Sequence, residues 1–254
     1  MNFILDYPLF VLALSLMGLY LSEWFGVFFH KRRPILDIDR EDFSLILAST
    51  LTLLGLIIGF TFSMAISRYD QRKNFEAAEA NAIGTEYLRA DLLPAADAAK
   101  VRTLLENYLG QRVLFYETRD AHQLRLIDGA TARLQTDLWS AVRAPAVRQP
   151  TVLFPIALSG MNEVLDLQGY VQAAWWNRIP AAAWGLMIAI SLLCNFLMGY
   201  GMHRAETKNM LLLLLPIVIS ISFFLIADID SPSGGIIRVH PQNLERLSQS
   251  LRAH

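Results

Sequence analysis

Few side chains in this sequence have the type and spacing that chemistry at a site requires. The five histidines, His30, His122, His203, His240 and His254, are scattered, and none stands at a metal-ligand spacing from another or from the single cysteine, Cys194. A lone cysteine excludes an intrachain disulfide and a cysteine-rich metal centre, and its place in an apolar run marks it as a small packing residue. Ser159-Gly160 and the other isolated serines lack a nucleophile-elbow context. Glu76, Glu79 and Glu86 share parts of one helix surface and read as a solvated face. Three carboxylates stand apart. Glu23 lies in an apolar run, where an ionisable group is costly; it either faces protein or a water-filled cavity with a partner, or snorkels to the interface and pairs with Arg32 or Arg33. Asp228 and Asp230 precede the glycine-rich turn at 231–235, either as a helix end at a membrane edge or as oxygen ligands of a cation. No enzyme is expected, and no cofactor.

The elements that must position these residues follow from composition. With 54% hydrophobic residues over 254 positions and a mean hydropathy of +0.36, the chain suits a membrane protein with one moderate polar domain. A net charge of -1 gives no electrostatic case for nucleic acid as a partner. Four apolar runs, 8–29, 43–66, 181–200 and 210–227, are expected to cross the bilayer, the first as a retained helix and not a cleaved signal. The second has no stop at its far end. Residues 67–73 supply interfacial and charged side chains without a proline, and the helical pattern continues through Phe75, Ala78, Ala82 and Ile83, so one helix of roughly 75 Å is expected to run to about Leu92.

The intervening region reads as all-helical. Val101, Leu104, Leu105, Tyr108 and Leu109 repeat at helical spacing, and so do Ile127, Ala130, Leu134, Leu138 and Val142. Pro94 stands where a helix begins, Ala144-Pro145 is an expected break, and Thr151 to Trp176 forms a last helix before the Asn177-Arg178-Ile179-Pro180 return to the membrane. The fold class is therefore all-α, an integral membrane protein with four transmembrane helices and a helical bundle inserted between spans 2 and 3. The expected boundaries are 1–67, 68–178, 179–228 and a tail at 229–254. Four spans place both termini and the bundle on one side.

Two faces of the second span bear on function. Gly55, Gly59 and Ser63 recur at i, i+4, i+8, a small-residue stripe that lets another helix approach closely. Ile58, Phe62 and Ile66 form a parallel apolar stripe. Ordinary packing and lipid contact is one reading of it; the other needs several copies around an axis, with stacked apolar rings that gate by dewetting. Loop charges do not decide sidedness, because Lys31, Arg32, Arg33, Arg40, Arg204 and Lys208 on the short-loop side face Arg68, Arg72, Lys73, Arg178 and Arg238 on the other. Taken alone, the basic run after the first span favours an outward-facing bundle.

The stretches GFTFSMAISRYDQR (59–72), EANAIGTEYLRA (79–90), NRIP (177–180) and DIDSPSGGIIRV (228–239) together resemble a bacterial membrane family of unknown function described as bestrophin-like, over nearly the whole chain. The resemblance implies a homo-oligomeric, pentameric anion channel in the bacterial inner membrane. It further implies an apolar neck at Ile58, Phe62 and Ile66, inorganic ions and the lipid bilayer as partners, and a cytoplasmic bundle. Asp228 and Asp230 stand in place of the dense acidic run that binds calcium in animal bestrophins, so calcium gating is not expected. The rival reading is a membrane-anchored scaffold or sensor whose helical domain binds another protein, since Glu23, Thr50, Thr52, Ser63 and Ser67 are sparse lining for an ion path.

Overall fold

Apolar runs set the helices of this protein, and prolines set many of their starts. The computed structural model describes residues 7–32, 40–148, 152–201 and 213–253. These form α1 (Pro8–Arg32), α2 (Arg40–Arg89), a 3-10 turn (Ala90–Leu92), α3 (Ala95–Glu117), α4 (Ala121–Arg148), α5 (Phe154–Trp176), α6 (Ala181–Gly201), α7 (Leu214–Asp230) and α8 (Gln242–Arg252), with no strand among the described residues. Pro94 and Pro241 occupy N-cap positions and Pro155 the first turn of α5, where a missing N–H breaks no helical bond. α2 is unbroken for 50 residues. Among the described residues three segments are long and apolar enough to cross a membrane: Pro8–Arg32, Arg40–Leu92 and Phe154–Gly201. α7, at the expected fourth span, is described over 17 residues, and the expected start at Met210 lies outside the described residues.

The chain divides into two compact units, residues 1–68 with 178–238 and residues 69–177 with 239–254. The stretch expected as a tail is therefore split, with 229–238 in the first unit and α8 in the second. Within the first unit α1 packs on α6 and α7. Two glycines make the α1–α6 contact intimate. A Cβ on Gly26 would land on the Phe196 carbonyl, and one on Gly199 on the Glu23 carbonyl, so backbone meets backbone. Ser22 Oγ donates to the Leu192 carbonyl at 2.8 Å. Contacts 22–192 and 26–196 ascend together, so the two helices run parallel. Gly199→Leu is expected to lower the thermal stability of the detergent-solubilised protein by about 1–3 kcal/mol or more, since backbone cannot yield as a side chain does. Gly18→Ala, with open space around the new Cβ, is the matched control and leaves stability unchanged.

The second unit holds residues 69–89 of α2 with α3, α4, α5 and α8 around one apolar core. Val101, Leu105, Tyr108 and Leu109 of α3 are at most 1% exposed and meet Leu138 and Val142 of α4, Met161 and Val164 of α5, and Leu244 of α8. Phe115, Tyr116 and Trp175 close it with ring centroids 4.9–5.5 Å apart. The expected break at Ala144-Pro145 is overturned, because α4 continues through Pro145 to Arg148. Burial of Ala141, Val142 and Pro145 holds that last turn, and Arg148 pins its end with two bonds of 2.7 and 2.8 Å to Asp97. These contacts offset the helical bond that proline forfeits.

Candidate functional site

The membrane half of α2 turns one face to its own chain. Leu54, Thr61 and Ala65 are 3%, 5% and 0% exposed and mark that face. At about 100° per residue, Ile58, Phe62 and Ile66 lie about 80° round from it. Ile58 and Phe62 are half-buried and Ile66 is exposed. Gly55, Gly59 and Ser63 lie further round and are exposed, and a Cβ at either glycine would meet nothing within 4 Å. Among the described residues no helix packs against the two glycines of this stripe. The hydroxyls of Thr50, Thr52 and Thr61 donate to their own helix, to the carbonyls of Ile46, Ala48 and Ile57 at 2.6–2.8 Å.

Glu23 is enclosed by protein. It is 1% exposed, and neither carboxyl oxygen has a hydrogen-bond partner among the described residues. It does not snorkel to Arg32, whose guanidinium lies 4.5 Å from the Phe28 ring centroid; Arg33 lies outside the described residues. On the two helices packed against α1, Ser191 Oγ, Asn195 Oδ1 and Ser220 Oγ are buried with no hydrogen-bond partner among the described residues. The Asn195 amide nitrogen donates to the Ser191 carbonyl at 2.7 Å, which fixes the orientation of the side chain.

Asp228 and Asp230 cap backbone. Both Asp228 oxygens accept amide hydrogen bonds from the far side of the turn, Ile236 N–H at 2.7 Å and Ile237 N–H at 2.8 Å. Gly235 passes so close that a Cβ there would strike the Asp228 carbonyl. Asp230 accepts from the Ile179 N–H at 3.2 Å through each oxygen, tying the end of α7 to the Asn177–Pro180 segment. Among the described residues no group of three or more His, Cys, Asp or Glu side chains is placed to hold a metal. The two aspartates are occupied by amides, the work of a helix end.

The glutamates of α2 correct the expectation of a solvated face, for Glu76, Glu79 and Glu86 are 1%, 0% and 0% exposed. Each meets burial differently. Glu76 accepts from the Asn243 and Leu244 amides at 2.9 and 3.1 Å and from the Asn243 side chain at 2.6 Å, so it caps α8. Glu79 pairs with Arg112, Nε to Oε1 at 2.5 Å, with both side chains 0% exposed. Burial pushes the Glu79 carboxyl up against the pull of that guanidinium; Arg112 is itself raised, its own burial being outweighed by Glu79. The phenols of Tyr108 and Tyr116, buried beside the pair, are pushed up too, first by desolvation and then by Glu79. Glu86 has no hydrogen-bond partner on either oxygen among the described residues. Its carboxyl sits where a Gly160 Cβ would be, next to Arg89. Desolvation pushes it up to about 8, Arg89 acting against the rise and Glu163 with it.

Comparison with known proteins gives this architecture a family. Residues 27–244 match the family described as Bestrophin-like domain. No functionally curated protein matches the sequence. The fold is similar to crystal structures of a bacterial bestrophin homologue from Klebsiella pneumoniae. The one phased by zinc anomalous scattering has a TM-score of 0.65 at 15% identity and covers 96% of this chain and 97% of its own. Two point variants of that homologue give 0.66 at 14% identity, covering 97% and 98%, and 0.65 at 14%, covering 94% and 97%. With its helices, its long second element and its turn at 228–239 all inside or bordering that match, the chain belongs to the bestrophin-like family.

Proposed function

We propose that this protein is a homo-oligomeric ion channel of the bacterial inner membrane, with four membrane helices per chain, the helical bundle in the cytoplasm, and anions as the conducted species. The observation that carries it is the open face of α2. Gly55 and Gly59 have empty space beside them and, among the described residues, no partner helix, while the adjacent Ile58, Phe62 and Ile66 stripe is only partly covered. Copies of the chain around an axis would close the first face and turn the second towards the centre, giving apolar rings that gate by dewetting. The family assignment supports the same reading.

Purified protein of verified oligomeric state, reconstituted in planar bilayers, is expected to conduct, and Phe62→Ala is expected to raise the current several-fold by widening the narrowest ring. An unchanged current in Phe62→Ala moves the neck elsewhere on α2. A folded oligomer that passes no current refutes the channel, and a silent monomer that co-purifies with a stoichiometric protein establishes the scaffold instead.

A further inference from the structure

Glu23 is a buried carboxylate that the proposed pore does not use. It is 1% exposed, and neither of its oxygens has a hydrogen-bond partner among the described residues. Three contacts fix where it stands against α6. Ser22 Oγ reaches the Leu192 carbonyl, a Cβ on Gly26 would strike the Phe196 carbonyl, and one on Gly199 the Glu23 carbonyl. Glu23 therefore lies on the Gly199 side of the seam, at a height between Leu192 and Phe196. Gly199 has no side chain to fill that side. Towards the start of α6 the next side chains on the same face are Asn195 and Ser191, at i−4 and i−8, both 0% exposed. A helical side chain leans towards the N-terminus of its helix, so in this parallel pair the Glu23 carboxyl leans to their height. Further along that face Trp184 meets Phe223 of α7 with ring centroids 6.0 Å apart, so α7 covers the groove.

The Asn195 amide nitrogen is engaged by the Ser191 carbonyl at 2.7 Å, which leaves only oxygens for the groove. These are both Glu23 carboxyl oxygens, Asn195 Oδ1 and Ser191 Oγ, each buried with no hydrogen-bond partner among the described residues. We propose that they bind one alkali-metal cation, sodium or potassium, between α1 and α6. Three features select that ligand. An all-oxygen set suits a hard cation. One carboxylate among neutral ligands is neutralised by a single positive charge, whereas a divalent ion leaves a net charge in apolar surroundings, where charge is costly. A proton would also neutralise Glu23, but the resulting O–H needs an acceptor within hydrogen-bond reach, and neither oxygen has one among the described residues. A metal ion, in contrast, bridges oxygens that do not touch one another. The inference rests on α1 and α6 crossing the membrane and does not depend on ion conduction.

Equilibrium binding to the full-length protein in detergent tests it, with radiolabelled sodium and rubidium as probes, rubidium standing for potassium. One ion is expected per chain, displaced by unlabelled sodium or potassium chloride and not by choline chloride of the same ionic strength. Glu23→Gln is expected to weaken retention about ten-fold or more, the effect of losing a charged ligand, and Asn195→Ala about three-fold, that of losing a neutral one. Glu41→Gln, the same change on an exposed residue of α2, is the control and leaves retention unchanged. Should Glu23→Gln lose its oligomeric state, the comparison of Asn195→Ala with Glu41→Gln decides. Retention of sodium over rubidium, or the reverse, supports the site and names its ion. Three results overturn the proposal: neither ion is retained, choline displaces as well as sodium, or the site variant weakens retention no more than Glu41→Gln.

Discussion

Arg112→Ala is expected to destabilise the helical bundle by about 3–5 kcal/mol, a loss typical of a buried ion pair stripped of one partner. Arg112 and Glu79 are both 0% exposed and 2.5 Å apart, so the truncated protein keeps a carboxylate with no counter-ion in an apolar core. The guanidinium also packs 4.5 Å from the Phe115 ring centroid, a contact that alanine gives up. Glu79→Ala strands the opposite charge, and a guanidinium cannot neutralise itself by losing its proton. The double variant Glu79→Leu/Arg112→Met should recover most of the loss, because apolar residues of similar volume avoid the desolvation of both ions. Chemical unfolding of the full chain in micelles, read as a double-mutant cycle, checks this. A double variant as unstable as the sum of the two singles would remove the ion pair as the cause.

Raising the pH is expected to weaken the bundle through Glu86, and the sign follows from the direction of its shift. The folded carboxyl titrates at about 8, above its ordinary value of 4.5, because it is desolvated, faces Glu163 and is only partly relieved by Arg89. The folded state therefore holds a proton that the unfolded chain releases. Its contribution is fully present below about pH 4.5, falls by about 1.4 kcal/mol per pH unit through the interval, and is gone once pH rises through 8. The total change is on the order of a few kcal/mol. Glu86→Gln keeps the shape without the titration and should flatten the slope between pH 5 and pH 8. If the variant and the parent lose stability in parallel over that range, Glu86 is not the responsible group.

Much of this architecture is legible in the order of residue types. The unbroken α2 follows from the lack of any proline between Pro34 and Pro94, and the core positions of α3 from the spacing of Val101, Leu105, Tyr108 and Leu109. The glutamates of α2 are misread for a physical reason. A carboxylate on an amphipathic helix looks the same whether its partner is water or an arginine 33 positions later, and only the packing of α3 on that face decides. Pro145 misleads in a similar way, since local propensity marks a break that burial of its neighbours and Arg148 override. Gly26 and Gly199 are isolated in sequence, and nothing local announces that they bring two backbones together. The stripe at Gly55, Gly59 and Ser63 does carry a local signal, yet no helix among the described residues packs against its glycines.

The cap on α8 has a bearing on how the protein is made. Glu76 waits through 167 residues of synthesis for the amide of Asn243. Ile83 and the side chain seated against Gly84, Leu247, belong to the same late closure. Until the ribosome has delivered α8, an anion and the apolar surface beside it stand unsealed, so the bundle closes only after translation has passed Leu247.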